Sequence, residues 1–92
     1  MSKIISLLDG MQKTNDMRYS ANGLKRRIKR IVYKVNTTSD SDEQITEFIV
    51  GCFAGGGLVD TYNKMGIIEW DIMITQMAEH EVWERNVRNE CI

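Results

Sequence analysis

The apolar positions of this chain repeat at helical spacing along most of its length. Ile4, Leu7, Leu8 and Met11 follow Ser2, a good N-cap, and predict a first helix over residues 3–13 that Gly10 weakens. Thr14-Asn15-Asp16 reads as a terminator, and residues 17–23 as irregular chain or a short strand closed by Asn22-Gly23. From Leu24 the apolar residues fall at 24, 28, 31, 32 and 35, the series of an amphipathic helix over about 23–36. The competing reading of residues 16–36 is a β-hairpin, because Ile28, Ile31, Val32, Tyr33 and Val35 are β-formers and Asn22-Gly23 is a hairpin turn signal. Strict alternation is absent, which favours the helix.

Ser41 and Gln44 have capping-box spacing, with Asp42 and Glu43 where the helix dipole favours negative charge. The stripe Ile45, Phe48, Ile49, Cys52, Phe53 follows, and Ala54-Gly55-Gly56-Gly57 ends it. Phe48 and Ile49 lie mid-stripe and are both expected in the core. Gly51 and Gly55, four apart, are expected to permit close helix packing. Residues 58–65 read as a short helix stopped by Gly66, with Ile68 plugging the core. The final helix runs over about 68–89 on Trp70, Met73, Ile74, Met77, Val87 and Cys91, with a drift in register near Glu81 that admits a break. The fold expected is all-α: a compact single-domain bundle of four to five short helices, with an α+β fold containing a hairpin at 16–36 as the alternative.

Length and composition agree with one domain over residues 1–92. The chain is 42% hydrophobic and 27% charged, near the globular average, so neither disorder nor a fibrous repeat accounts for it. No long apolar run precedes Asp9, and the stretch from Phe48 to Val59 is short and contains four glycines, so neither a signal peptide nor a membrane span is expected. Cys52 and Cys91 lack CxxC spacing and read as reduced thiols of a cytoplasmic protein.

Candidate chemistry is sparse. Thr61 to Ile72 has the glycine and isoleucine placement of an EF-hand calcium loop, but its ligand positions 1, 3, 5 and 12 would be Thr61, Asn63, Met65 and Ile72, and a thioether and an alkyl chain cannot replace carboxylates. The corner between two helices is the better account. The glycines at 51 and 55–57 fit no nucleotide fingerprint. His80, between Glu79 and Glu81 with Glu84 a turn on, is the only histidine and falls short of a zinc ligand set; a partly buried helical histidine near Trp83 is expected instead. Cys52 on an apolar stripe is a poor nucleophile. The expectation is therefore no enzyme, no metal and no cofactor.

Charge changes the picture more than composition does. The net charge is −1, yet up to Asn36 there are nine basic against two acidic residues, and from Thr37 onward three basic against eleven acidic. Lys25, Arg26, Arg27, Lys29, Arg30 and Lys34 surround Tyr33 on the polar side of the second helix, and no acid occurs between Asp16 and Asp40. An ordinary solvated helix mixes signs to gain pairs one turn apart. Cations placed in the first turn, as Lys25, Arg26 and Arg27 are by this reading, also oppose the helix dipole.

These seven residues are the expected partner-binding surface of a small regulatory protein that occupies a site on nucleic acid or a ribonucleoprotein complex. The alternative is an inhibitor or adaptor of the small mobile-element type whose basic helix meets an acidic protein surface and blocks a host enzyme or defence complex. A third explanation is internal, with Asp40, Asp42, Glu43 and Glu47 neutralising part of the patch. A homo-oligomeric module using Trp70, Trp83 and the six methionines is a further option.

Overall fold

The computed structural model describes residues 20–90, which form four helices in one all-α domain: α1 (Ala21–Val35), α2 (Asp42–Gly51), α3 (Gly57–Met65) and α4 (Ile67–Glu90). The helix expected over residues 3–13 and Cys91 lie outside the described residues. The hairpin alternative for 16–36 fails over its described part, because residues 21–35 are helical.

Helix α1 starts two residues before the apolar pattern suggests. Ser20 Oγ accepts a hydrogen bond from the Gly23 N–H (3.2 Å), so Asn22-Gly23 lies inside the first turn and closes no hairpin. Lys25, Arg26 and Arg27 consequently sit beyond that turn, and the expected dipole penalty on them largely disappears. Helix α2 carries the capping box read from Ser41 and Gln44, with bonds of 3.1 and 3.3 Å. It ends at Gly51, tightens through Phe53 N–H to Val50 O and Ala54 N–H to Gly51 O bonds (3.0 Å each), and turns at Gly55 and Gly56, whose φ values of 91° and 85° suit residues without a Cβ.

One core joins the helices. Leu24, Ile28 and Val32 of α1 meet Ile45 and Ile49 of α2, Leu58 and Tyr62 of α3, and Trp70, Ile74, Ala78 and Val82 of α4. Trp70 is fully buried and takes the Tyr62 ring edge-on at 5.7 Å. Gly66, at φ 87°, makes the corner between α3 and α4 and donates to Tyr62 O (3.0 Å). Residues 61–65 and 67–72 are helical on either side of it, so the stretch that mimics a calcium loop has no loop backbone.

Several side chains depart from the apolar pattern. Phe48 is 52% exposed whereas its neighbour Ile49 is fully buried. Thr46 and Ile49 face inward, with Glu43 and Glu47 paired to α1 on one flank and Phe48 and Cys52 on the opposite, open flank. Cys52 is thus exposed rather than held in an apolar stripe. Ile68 does not plug the core: it is 73% exposed, and Ile67 packs inward in its place. Gly51 faces open space, so no close helix contact requires it. No described helix is long and apolar enough to cross a membrane.

Helix α4 runs unbroken for 24 residues. The apparent drift near Glu81 is a carboxylate on the inward arc: Glu81 is 4% exposed and accepts from Arg85 Nε at 2.6 Å. Arg85 Nη1 also donates to Asp40 Oδ2 (2.6 Å), and Arg88 Nη2 approaches Glu81 at 3.4 Å, so four charges tie α4 to the loop between α1 and α2. Burial works against the Arg85 charge, but hydrogen bonds to Asp40 and Glu81 outweigh it and raise the pKa above the usual arginine value. Within that loop, Asn36 Nδ2 donates to Asp40 O (3.0 Å) and Asp42 Oδ1 (2.7 Å), and its Oδ1 accepts from Thr38 N–H (3.0 Å) and Thr38 Oγ1 (2.8 Å).

Candidate partner-binding surface

All seven residues singled out on the basic segment lie on α1, but packing divides them. Arg27 projects to one side and grips Asp71 of α4 with two parallel bonds, Nε to Oδ1 and Nη2 to Oδ2, each 2.7 Å. This fork matches guanidinium to carboxylate geometry and links α1 to α4. Lys25 and Lys29 project to the other side and pair with Glu47 and Glu43 of α2, the second pair at 2.8 Å. Both lysine pKa values rise because the hydrogen bonds to these carboxylates favour the charged form, and the Lys29 bond lowers that of Glu43 in return. The acids at the start of α2 thus neutralise one flank of the patch.

Arg26, Arg30, Tyr33 and Lys34 remain on the outward ridge. All four are exposed, Tyr33 by 73%, and no ion pair among the described residues engages the three cations. At about 100° per residue, Arg26, Arg30 and Tyr33 fall within about 60° of arc, with Lys34 about 40° beyond Arg30. Gly23 continues the ridge, and a depression along it is also lined by Arg27, Lys29, Asp42 and Ile67. The arrangement can place three positive charges and one aromatic ring against a single extended surface.

The other candidates separate. His80 is exposed, not partly buried, and its ring stacks on Trp83 at 6.0 Å with 27° between planes; Nε2 stands 3.4 Å from Glu84 Oε1. No group of three or more histidine, cysteine, aspartate or glutamate side chains among the described residues could hold a metal ion.

Two features escaped the pattern of the sequence. The buried Glu81 and the Arg85 that pairs with it had a visible signal, since Glu81 continues the inward series of Trp70, Ile74 and Ala78 and has Arg85 one turn later. The outward apolar side chains of α4, Ile68, Ile72 and Trp83, had less, because they blur the amphipathic stripe. No protein-family model, curated protein or solved structure matches this chain.

Proposed function

We propose that this protein is a non-enzymatic binding protein that acts by occupancy, laying the α1 ridge of Arg26, Arg30, Tyr33 and Lys34 along the phosphate backbone of a nucleic acid. The observation that carries this reading is a run of exposed cations on one helical arc with an exposed tyrosine among them. Arginine and lysine neutralise phosphates and release condensed counterions, and a tyrosine can stack on a base or donate its hydroxyl. Lys25, Arg27 and Lys29 flank the ridge and contribute little direct contact, because their charges already face carboxylates.

Three outward cations set the scale. A log–log salt slope no steeper than about −2 to −3 follows from three phosphate contacts, so binding by this ridge alone is weak and indifferent to base sequence. Fluorescence anisotropy with short labelled RNA and DNA, single- and double-stranded, tests this across a salt series. The combined Arg26→Glu and Arg30→Glu variant should keep its helical circular dichroism and lose binding at low salt, whereas Lys25→Met should bind nearly as the parent does. Equal binding by the ridge variant and the parent, or no binding by the parent at low salt, overturns the proposal.

A further inference from the structure

The outward arc of α4 is opposite in charge to the α1 ridge. From Met65 to Glu84 the chain has five carboxylates and no lysine or arginine. Asp71 is engaged by Arg27 and Glu81 by Arg85 and Arg88, and Glu84 lies 3.4 Å from His80 Nε2. Glu69, Glu79 and Glu84 remain exposed, together with Ile68, Ile72 and Trp83, of which Ile72 is 55% and Trp83 59% exposed. At about 100° per residue Ile68, Ile72, Glu79 and Trp83 fall within about 60° of arc, so α4 presents a continuous apolar and acidic ridge to solvent. Large outward apolar side chains grouped on one face mark an interaction surface.

The chemistry that fits this ridge is cationic with an aromatic residue, and the chain carries it on α1. A molecule cannot bring its own two ridges together, because α1 buries Leu24, Ile28 and Val32, and α4 buries Trp70, Ile74 and Ala78, against the same core, turning both ridges away from each other. A second copy can. We infer that this protein self-associates head to tail, the α1 ridge of one copy crossing the α4 ridge of the next, with Arg26 and Arg30 against Glu79 and the Trp83 ring and Tyr33 against Ile72.

The guanidinium groups gain from both carboxylate and indole, as cations do over an aromatic face. A net charge of −1 leaves little overall repulsion between copies. The contact joins two different surfaces, so it builds a ring if its rotation closes and an open array otherwise. Its charges are exposed, which makes the association weak and sensitive to salt. This inference goes beyond the nucleic-acid reading and is tested without nucleic acid; the two would compete for the α1 ridge.

Sedimentation velocity of the full chain over a concentration series at low ionic strength should show the average mass rising above the monomer, and returning to it near 1 M salt, where screening acts over about 3 Å. The combined variants Arg26→Glu with Arg30→Glu, and Glu69→Arg with Glu79→Arg, should each stay monomeric while retaining the parent's circular dichroism. Their equimolar mixture should associate again, because each supplies the charge the other lacks. Lys34→Glu, a milder change at the edge of the ridge, should weaken association several-fold and serves if a double variant fails to fold. A parent that is monomeric at every concentration overturns the inference, as does undiminished association of the α1 variant or failure of two folded variants to associate on mixing. The α4 variant should still bind nucleic acid, so loss of self-association and loss of polyanion binding are read separately.

Discussion

The ion pairs around Glu81 and those between α1 and α2 differ in what they do. At the centre of one set Glu81 is buried, Arg85 is mostly so, and its guanidinium bridges Glu81 to the half-buried Asp40 from a distant part of the chain. Along α1 the pairs Lys25–Glu47 and Lys29–Glu43 lie in solvent, where water already satisfies each partner. Equal chemistry in unequal dielectric has unequal consequences. Removing Arg85 leaves the Glu81 carboxylate buried with its closest partner gone, whereas removing one of the outer set returns its partner to water. The inner set therefore fixes the loop before α2 onto α4, and the outer set trims the basic patch to its outward ridge.

The sharpest way to break this comparison is Arg85→Ala. It leaves Glu81 buried with only the longer 3.4 Å contact to the exposed Arg88 and frees Asp40, and should lower stability by up to about 3 to 5 kcal/mol in denaturant unfolding. Replacing Glu81 and Arg85 together by methionine should recover most of that loss, since no charge is then left unpaired. A loss below about 1 kcal/mol for Arg85→Ala would place Glu81 in contact with water and erase the distinction between the two sets.

Next in size is the contrast within α2. Ile49→Ala should cost about 2 to 5 kcal/mol, and Phe48→Ala, on the open flank, within about 1 kcal/mol. Equal losses would mean that α2 is rotated on α1 so that Phe48 and Ile49 are buried alike. Thr46 sharpens the dielectric argument with a neutral group. Its hydroxyl is buried without a hydrogen-bond partner among the described residues, so Thr46→Val should raise stability by up to about 1 to 3 kcal/mol, read as a higher melting temperature.

The smallest effect belongs to the outer pairs. The Lys29 hydrogen bond lowers the Glu43 pKa, so the contribution of Glu43 to stability is complete above the ordinary glutamate pKa of about 4.3 and is lost as pH falls through the lowered value. Lys29 behaves in the opposite sense: its raised pKa makes its contribution complete below the ordinary lysine value of about 10.4, and that contribution is lost as pH rises through the raised one. Carboxyl-detected NMR should show the Glu43 titration moving back up in Lys29→Met, with no measurable change in melting temperature at physiological salt.

Much of the architecture was legible from periodicity because each helix carries its own signals. The Ser41–Gln44 box, the glycines after Ala54 and the stripe of Leu24, Ile28 and Val32 act within a few residues and hold in any context. Errors arose where a neighbour decided. Phe48, Ile68 and Cys52 sit on apolar positions yet face solvent, while Glu81 sits on a charged position yet faces inward. Hydrophobic period specifies which side chains share a face but not how far a partner helix rotates that face.

The candidate surface divides in the same way. That α1 would be basic and amphipathic, with Tyr33 among its cations, was determined by the sequence alone, since side-chain spacing on a helix follows from backbone geometry. Which cations remain outward was decided only by the tertiary structure. Asp71 lies 44 residues from Arg27, and Glu43 and Glu47 lie 14 and 22 residues from Lys29 and Lys25. Charges so far apart along the chain meet only once the core of Leu24, Ile49 and Trp70 has fixed how the helices cross, because charge pairing in water is too weak to choose that arrangement by itself.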